Sequence, residues 1–320
     1  MRYGRIAGID LPISRLVQGT ATVTSNDLDG AFALLDDAFE MGCTVFDTAH
    51  VYGKGDSERT VGRWVNSRGI RDKVVIIGKG AHHNEDRKRV TPFDISSDLF
   101  DSLARFGFEY IELYLLHRDD PSVPVEPLVD ALNEHVQAGR IKAFGASNWT
   151  HERIQKANTY ANDNGLLPMV ASSPSFSLAE QVREPWPDCV NISGEQGETA
   201  RAWYKSTRMP LFTWSSLAGG FFSGRFTREN LNTFEERLDR LCVEAYCYEH
   251  NFERLDRARL LGKQKNLSVP QVALAYVMNQ PLNIFALIGS RNGEEFRVSL
   301  DASEVVLSTS DLRWLENGLE

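Results

Sequence analysis

Four polar residues, Asp47, Tyr52, Lys79 and His117, have the types and spacing expected of a proton-transfer site. Asp47, Lys79 and His117 each end a short apolar segment (TVFD, VVIIGK and YLLH), and Tyr52 follows Asp47 after four residues. A lysine ammonium close to a phenol favours the phenolate and lowers a pKa that is ordinarily near 10. Asp47 could hold the lysine by an ion pair, and His117 could orient a substrate oxygen or share the proton. The set therefore predicts a general acid for a carbonyl, with a bound nicotinamide as the hydride donor.

Each of these residues also has an ordinary structural role. Asp47 could cap a helix, Lys79 could lie on a solvated rim, His117 could be a hydrogen-bonded core residue, and Tyr52 could simply pack. Their joint position at successive strand ends is what favours a catalytic site.

The elements that position these residues alternate between apolar strands and amphipathic helices. Such alternation predicts parallel strands covered by helices. Eight candidate strands lie near residues 16–19, 44–47, 74–79, 111–116, 141–146, 169–173, 211–215 and 284–289. The first strand lacks the GxGxxG turn of an open dinucleotide-binding sheet. The fold class is therefore predicted to be α/β, a closed (β/α)8 TIM barrel whose active site lies at the carboxyl ends of the strands.

The remaining segments fit around this barrel. In the first helical stretch, Leu28, Phe32, Leu35 and Phe39 fall on one face, and Gly42 can supply the stop. Residues 2–13 are predicted to form a β-hairpin that closes the bottom of the barrel. Residues 217–253 are predicted to hold loops and short helices. No Pro/Ser-rich linker interrupts the chain, so residues 1–320 are expected to form one domain.

Composition restricts the partners of this chain. Its 320 residues are 42% hydrophobic and carry a formal net charge of -9, which argues against nucleic acid or an anionic membrane as the main partner. No apolar run reaches roughly 18 residues, and the N-terminus lacks the apolar core of a secretory signal. Cys43, Cys189, Cys242 and Cys247 form no CxxC pair, so we expect reduced cysteines in a cytoplasmic protein with no metal site. The expected partner is a small molecule.

Several segments, in order along nearly the whole chain, resemble the aldo-keto reductase family. FDTAHVYGKGDSE (46–58) resembles its signature, in which Asp, Tyr, Lys and His form the catalytic set. Further similar segments are GKG (78–80), YLLHRDDP (114–121), AGRIKAFGASNW (138–149), FTWSSLAGGFFSGRF (212–226) and LIGSRN (287–292). The resemblance implies the same barrel and an NAD(P)H-dependent reduction of an aldehyde or ketone to an alcohol, or the reverse.

The resemblance also implies individual roles. Tyr52 would be the acid and base, Lys79 and Asp47 would tune it, and His117 would orient the carbonyl. Gly19 and Thr20 would line the ribose side. Ser147 and Asn148 would hold the nicotinamide carboxamide, and Trp214 would stack on the ring. The phosphates would be surrounded by Ser215, Leu217, Gly219 and Arg225. The full implied cofactor set is Gly19, Thr20, Asp47, Ser147, Asn148, Ser173, Trp214, Ser215, Ser216, Leu217, Ala218, Gly219, Arg225, Gly289 and Arg291.

The sequence departs from the family pattern at two places. Ser172 and Ser173 stand where a glutamine often lies beside the carboxamide. On the helix after LIGSRN, the positions that commonly grip the adenosine carry Glu295, Val298 and Ser299. A glutamate facing a 2′-phosphate is unfavourable, although Arg291 or Arg297 could still bind that phosphate. NADPH is the expected cofactor, with NADH left open.

The substrate is the least constrained prediction. His82, Arg118 and Trp149 are candidate substrate contacts, with His83, Asp119 and Phe176 as further lining groups. This mixture suits a polyhydroxylated ligand, so a sugar or sugar-derived carbonyl is expected. One alternative is a non-catalytic, nucleotide-sensing regulatory subunit like the potassium-channel β subunits of the same family. Another is a barrel metal hydrolase, for which the expected HxH after the first strand is absent.

Overall fold

Eight parallel strands form a closed barrel at the centre of the molecule. The structure is a computed structural model that describes residues 1–319. The barrel strands are β3 (Leu16–Gly19), β4 (Val45–Asp47), β5 (Val75–Gly80), β6 (Ile111–Leu116), β7 (Ile141–Ser147), β8 (Ser172–Ser173), β9 (Leu211–Thr213) and β10 (Ile284–Ile288). Each pairs with the next, and β10 pairs with β3 to close the ring. The predicted α/β barrel is confirmed.

Helices connect the strands and cover the outside of the barrel. They are α1 (Leu28–Glu40), α2 (Asp56–Arg68), α3 (Pro92–Phe106), α4 (Glu126–Gln137), α5 (His151–Asp163), α6 (Glu198–Thr207), α7 (Arg237–Tyr246), α8 (Glu249–Lys265), α9 (Val269–Met278), α10 (Gly293–Ser303) and α11 (Thr309–Asn317). None of these helices, which all lie within residues 1–319, is both long and apolar enough to span a membrane.

Two separate apolar clusters explain why the barrel strands read as continuous apolar runs. All six residues of β5 and all six of β6 are buried. Ile77 and Leu113 belong to a cluster inside the barrel, whereas Ile76 and Leu116 pack in the larger cluster beneath the helices. Because both faces of each strand are covered, apolar residues occupy every position instead of alternate ones.

A β-hairpin packs at the amino end of the barrel. It consists of β1 (Tyr3–Ile6) and β2 (Ile9–Ser14), which pair antiparallel. Ile6, Ile9 and Ile13 are buried within the interior cluster. A Cβ at Gly8, whose φ is +82°, would lie 3.0 Å from the carbonyl oxygen of Lys142, near the start of β7. The predicted hairpin therefore exists, and its turn is held at the end of the barrel opposite the candidate site.

The burial of α1 differs from the sequence prediction. Its buried face is Ala31, Leu34, Leu35 and Ala38, whereas Phe32 and Phe39 are only partly buried. Small alanines allow the helix to approach the strands closely, and the two phenylalanines cover the edges of that contact. Gly42 has the left-handed φ of +91° predicted for the helix stop.

The segment after β9 contains short helical elements, as predicted. Two 3-10 turns, Ala218–Ser223 and Leu231–Thr233, precede α7. This segment begins at the carboxyl end of β9, on the face where Asp47 ends β4 and Ser147 ends β7.

Candidate active site

The predicted catalytic residues meet at the carboxyl ends of β4, β5 and β6. The Lys79 ammonium donates hydrogen bonds to Asp47 Oδ2 at 2.7 Å and to the Thr48 carbonyl at 2.6 Å. It also donates to the Tyr52 hydroxyl at 3.4 Å. Asp47 and Lys79 are each 2% exposed. Strand register produces this contact, because Asp47 pairs with Ile77, two residues before Lys79 on the neighbouring strand.

Tyr52 and His117 complete the group. Tyr52 begins the 3-10 turn Tyr52–Gly55 and is partly buried. Its ring lies 4.9 Å from Lys79 Nζ and meets the His117 ring edge to face, with 5.8 Å between centroids. His117 follows β6, where its backbone N–H donates to the Gly80 carbonyl at 2.8 Å. The Tyr52 phenol therefore lies against both the Lys79 ammonium and the His117 imidazole.

Burial changes the acidity of Tyr52 more than the lysine does. Burial raises the pKa of the Tyr52 phenol, the Lys79 charge opposes this, and the Asp47 carboxylate adds to it. The net direction is upward, opposite to the prediction from the sequence. That prediction considered the ammonium and left out the cost of placing a phenolate in a poorly solvated site.

The neighbouring groups have definite charge states. Burial alone would lower the pKa of Lys79, but Asp47 and Tyr52 together raise it, so the ammonium is retained. Burial, followed by the Lys79 charge, lowers the pKa of His117 well below its usual range. His117 is therefore neutral near pH 7 and can offer one N–H donor without adding a second cation.

Polar groups at the ends of β7 and β8 lie beside this set. Ser147 Oγ donates to the Ser173 carbonyl at 2.9 Å, and Asn148 Nδ2 donates to the His117 carbonyl at 3.3 Å. Asn148 Oδ1 accepts from the Val190 N–H at 3.2 Å. Ser173 Oγ is buried and has no hydrogen-bond partner among residues 1–319. Because buried hydroxyls normally have partners, Ser173 suits contact with a polar ligand.

The segment after β9 forms a loop with unusual backbone angles. Ser215 and Ala218 have φ of +55° and +52°, and Gly219 and Gly220 continue with +61° and +97°. Left-handed angles at non-glycine residues cost roughly 1–2 kcal/mol each and concentrate at binding sites. Consecutive N–H groups in such turns form anion-binding concavities. The loop therefore suits phosphate groups.

Trp214 begins this loop. Its indole Nε1 is buried and has no hydrogen-bond partner in the described chain, and its ring lies 6.1 Å from that of Trp186. The unpartnered N–H and the flat ring suit an aromatic ligand with polar substituents.

The residues at the end of β3 pack closely against β10. A Cβ at Gly19 would lie 3.2 Å from the Ile288 carbonyl oxygen, so a larger residue would disturb this contact. The Thr20 hydroxyl is engaged with the Asp47 carbonyl at 3.0 Å and with Ser57 Oγ at 2.8 Å. Thr20 thus fixes the end of β4 through its hydroxyl, and Gly19 leaves room beside it.

Two arginines predicted to bind phosphates are paired with carboxylates. Arg225 makes two hydrogen bonds to Asp239, at 2.7 and 3.1 Å. Arg291 donates to Glu295 Oε1 at 2.9 Å through Nη2, and its backbone N–H donates to Glu295 Oε2 at the same distance. Gly289 is exposed, and a Cβ there would contact nothing within 4 Å. Both guanidinium groups are therefore engaged by carboxylates of the chain.

The family can now be assigned. A sequence model described as the aldo/keto reductase family matches residues 15–318. This chain belongs to the aldo/keto reductase family. Members of this family are oxidoreductases, and the catalytic geometry described above is consistent with that class.

Known relatives cover almost the whole chain. Aldo-keto reductase YhdN of Bacillus subtilis is 26% identical over 100% of this chain and 94% of its own length. Aryl-alcohol dehydrogenase GME11368 of Pestalotiopsis microspora is 25% identical over 91% of this chain and 72% of its own. The solved glycerol dehydrogenase AKR11B4 from Gluconobacter oxydans superposes with a TM-score of 0.80 at 22% identity, covering 98% of this chain and 94% of that one. This structural similarity supports the barrel fold.

The predicted substrate residues of this aldo/keto reductase differ in their surroundings. The His82 ring packs edge to face on His117, with centroids 4.9 Å apart. His83 turns away, and its Nε2 lies 3.0 Å from the Asp119 carbonyl. Arg118 is 7% exposed. Trp149 is 1% exposed, and its Nε1 donates to the Arg118 carbonyl at 3.0 Å. Trp149 therefore acts on the site by fixing the Arg118 backbone.

Three residues near the site were not identified from the sequence. The Thr48 carbonyl accepts from Lys79, and Ser57 binds Thr20. Gln18 Nε2 donates to the Ser290 carbonyl at 3.1 Å, which links β3 to the segment after β10, while its Oε1 is buried without a partner in the described chain. Ser57 lies inside the recognised signature segment, and Gln18 directly precedes Gly19. Both could have been found by treating every polar residue near a strand end as a candidate.

Proposed function

We propose that this protein is an NAD(P)H-dependent carbonyl reductase that converts an aldehyde or ketone into an alcohol, or catalyses the reverse oxidation. The observation that carries this proposal is the Lys79 ammonium bonded to both Asp47 and the Tyr52 hydroxyl in a buried site. Family membership supports the reaction class.

The residues at the site fit a nicotinamide nucleotide. Ser173 Oγ and Trp214 Nε1 are buried polar atoms without protein partners among residues 1–319. The loop from Ser215 to Gly220 has left-handed backbone angles of the kind that form anion-binding concavities. Ser147, Asn148 and Ser173 would hold the carboxamide end. Bound there, the reduced nucleotide would supply a hydride to the carbonyl carbon, so that one carbonyl, one reduced nucleotide and one proton give one alcohol and one oxidised nucleotide.

The chain's own residues supply the proton. Burial raises the Tyr52 pKa, which keeps the phenol protonated at neutral pH and ready to donate to the carbonyl oxygen. The phenolate that forms would be stabilised by the Lys79 ammonium, which Asp47 holds in place. Neutral His117 would orient the carbonyl by donating a hydrogen bond. In the oxidation direction, Tyr52 would accept the proton from the alcohol.

Preference between NADPH and NADH depends on the Arg291–Glu295 pair. Arg291 is exposed and could contact a 2′-phosphate, but its guanidinium is held by Glu295. A phosphate would have to displace or share that carboxylate, which weakens its binding. We therefore propose NADPH as the cofactor. Its binding advantage over NADH should be smaller than it would be if Arg291 had no carboxylate partner.

The substrate is proposed to be a sugar or a sugar-derived carbonyl, as His82 and Arg118 suggest. Among the relatives, names include aryl-alcohol dehydrogenase and norsolorinic acid reductase. These names describe those proteins, and they make aromatic carbonyls a necessary part of any test.

We also propose a cytoplasmic location and a single domain over residues 1–320. The absence of disulfides among Cys43, Cys189, Cys242 and Cys247 supports the first proposal. The continuous family match supports the second.

The deciding experiment is nucleotide oxidation measured at 340 nm across aldoses, ketosugars, simple aldehydes, aromatic aldehydes and steroids, with NADPH and NADH in parallel. Turnover of carbonyls with either nucleotide supports the proposal. Tight nucleotide binding without turnover of any carbonyl would instead indicate a nucleotide-sensing subunit. Turnover of apolar carbonyls alone would reject the sugar assignment.

A further inference from the structure

Arg118 is a buried cation without an anionic partner in the described chain. It is 7% exposed, yet none of the ion pairs among residues 1–319 includes it. Its backbone carbonyl accepts a hydrogen bond from Trp149. Burial raises the pKa of the Cys189 thiol, and the Arg118 side chain lies close enough to that thiol to oppose the rise. Cys189 is a weak, neutral partner, so within residues 1–319 most donors of the guanidinium have no acceptor.

Nearby acidic groups are already engaged. Asp119, the next residue in the chain, is bound by Arg153 Nε at 2.9 and 3.0 Å. Asp188 lies 3.4 Å from the Lys88 ammonium. No carboxylate within residues 1–319 lies within ion-pair distance of Arg118, so in this part of the chain the cation has no direct counter-ion.

The position of Arg118 connects it to the catalytic group. It directly follows His117 at the end of β6. Burial raises the Tyr52 pKa, and the charges of Lys79 and Arg118 both oppose that effect. Burial lowers the pKa of His117 and His82, and the Arg118 charge lowers both further. The Arg118 charge is thus felt at the place where a carbonyl would be protonated.

A buried charge is costly unless it is paired. The guanidinium is a planar fork whose donors match the two oxygens of a carboxylate. The chain as a whole has a formal net charge of -9, so an anionic ligand would gain nothing from the overall charge and would depend on a local cation.

We propose that Arg118 binds a carboxylate of the substrate, so that the preferred substrates are carbonyl compounds bearing an acid group, such as short aldehyde acids or sugar acids. This inference rests on the proposed function. It narrows the sugar-like class to its acidic members and gives Arg118 a role in substrate selection.

The test compares acids with matched neutral compounds. Succinic semialdehyde is paired with its methyl ester, and glucuronate with glucose, and kcat/KM is measured for each. In the wild-type protein the acid should be favoured by roughly 10- to 150-fold, the value of one charge-assisted interaction. In Arg118→Gln this ratio should fall to about 1, mainly through KM, because the interaction is made equally before and during the reaction. Arg118→Lys should restore part of the preference, since it keeps the charge but loses the fork.

Lys88→Gln is the matched control. Lys88 is a half-exposed cation already paired with Asp188, so its removal should leave the acid-to-neutral ratio unchanged. A similar fall in this variant would indicate general charge attraction and would overturn the assignment to Arg118.

Two further results would overturn the proposal. One is equal use of acids and esters by the wild-type protein. The other is an equal loss of kcat/KM for the acids and for the neutral compounds in Arg118→Gln. That result would mean that Arg118 acts on the acidity of Tyr52 and does not bind a substrate carboxylate. If no carbonyl is reduced at all, the proposed function has failed. Calorimetric titration with 4-hydroxybutanoate then decides. Weaker binding to Arg118→Gln than to the wild-type protein supports the anion site. Equal binding to the two proteins, or no binding to the wild-type protein, refutes it.

Discussion

Replacement of Lys79 by methionine removes the ammonium from the catalytic group while keeping most of the side-chain volume. The Nζ atom lies 3.4 Å from the Tyr52 hydroxyl. At an effective dielectric constant of about 20, a full charge pair at this distance is worth about 5 kcal/mol. If about half of the phenolate charge has developed in the transition state, the loss is about 2.5 kcal/mol, or roughly 60-fold in rate. This lies just below the range usual for general acid–base catalysis.

The assay is alcohol oxidation followed from pH 6 to 10.5. In this direction Tyr52 acts as the base, so the rate rises with pH until the phenol is ionised. The loss of Lys79 raises the Tyr52 pKa further, because the ammonium is the main group that opposes the upward effects of burial and of the Asp47 carboxylate. The rise should therefore extend to a higher pH in Lys79→Met than in the wild-type protein, and along the rising limb the variant should be the slower of the two at every pH. A loss below 3-fold with an unchanged pH profile would refute the role assigned to Lys79.

A second variant separates chemistry from folding. Lys79→Met alone leaves Asp47 buried and unpaired, which typically destabilises a protein by about 3–5 kcal/mol. Asp47→Asn/Lys79→Met removes both charges and should recover much of that stability in urea unfolding. It should also recover some activity, because the carboxylate that raises the Tyr52 pKa is gone. Nucleotide binding, measured by fluorescence quenching, should persist in both variants.

Three other predictions follow from the same geometry. Tyr52→Phe should lose most turnover while retaining nucleotide binding, and substantial residual activity would identify His117 or water as the acid. In fluorescence titrations, Arg291→Ala should weaken NADPH binding more than NADH binding. Glu295→Gln should strengthen NADPH binding by roughly 3- to 10-fold, because it frees the Arg291 guanidinium. Equal effects on both nucleotides would reject the assignment of Arg291 to the 2′-phosphate. The pKa of His117 is lowered in the folded protein, so its contribution to the free energy of unfolding should be fully present above about pH 6.5, the ordinary pKa of histidine in an unfolded chain. Below that pH the free energy of unfolding should fall by up to about 1.4 kcal/mol per pH unit. Urea unfolding at pH 7.5 and 5.5 measures this fall, and a His117→Asn variant with the same slope would contradict it.

The barrel was predictable because parallel strands are covered on both faces. Each strand therefore reads as an apolar run, and the first polar residue after it marks the open end, as at Asp47 and His117. The strand β8 was less so, because only Ser172–Ser173 forms ladder hydrogen bonds although a longer segment was predicted.

Other features depend on tertiary packing, which residue type alone does not report. The α1 prediction followed the largest apolar side chains, but Ala31 and Ala38 occupy the buried face, where a close helix–strand approach favours small residues. The predicted downward shift of the Tyr52 pKa was wrong, because the effect of burial outweighs that of the Lys79 ammonium. The sequence also identified Arg118 as a candidate, but its lack of an anionic partner became visible only once every nearby carboxylate had been placed.

The hairpin covers the amino end of a barrel whose interior is already packed with apolar side chains. Ile6, Ile9 and Ile13 extend that interior cluster. A ligand therefore reaches Tyr52 from the carboxyl face of the barrel, where the catalytic residues lie. When two molecules bind at one such face, the one that lies deeper has to arrive first and depart last, so the order of binding would be imposed by shape before any difference in affinity is considered.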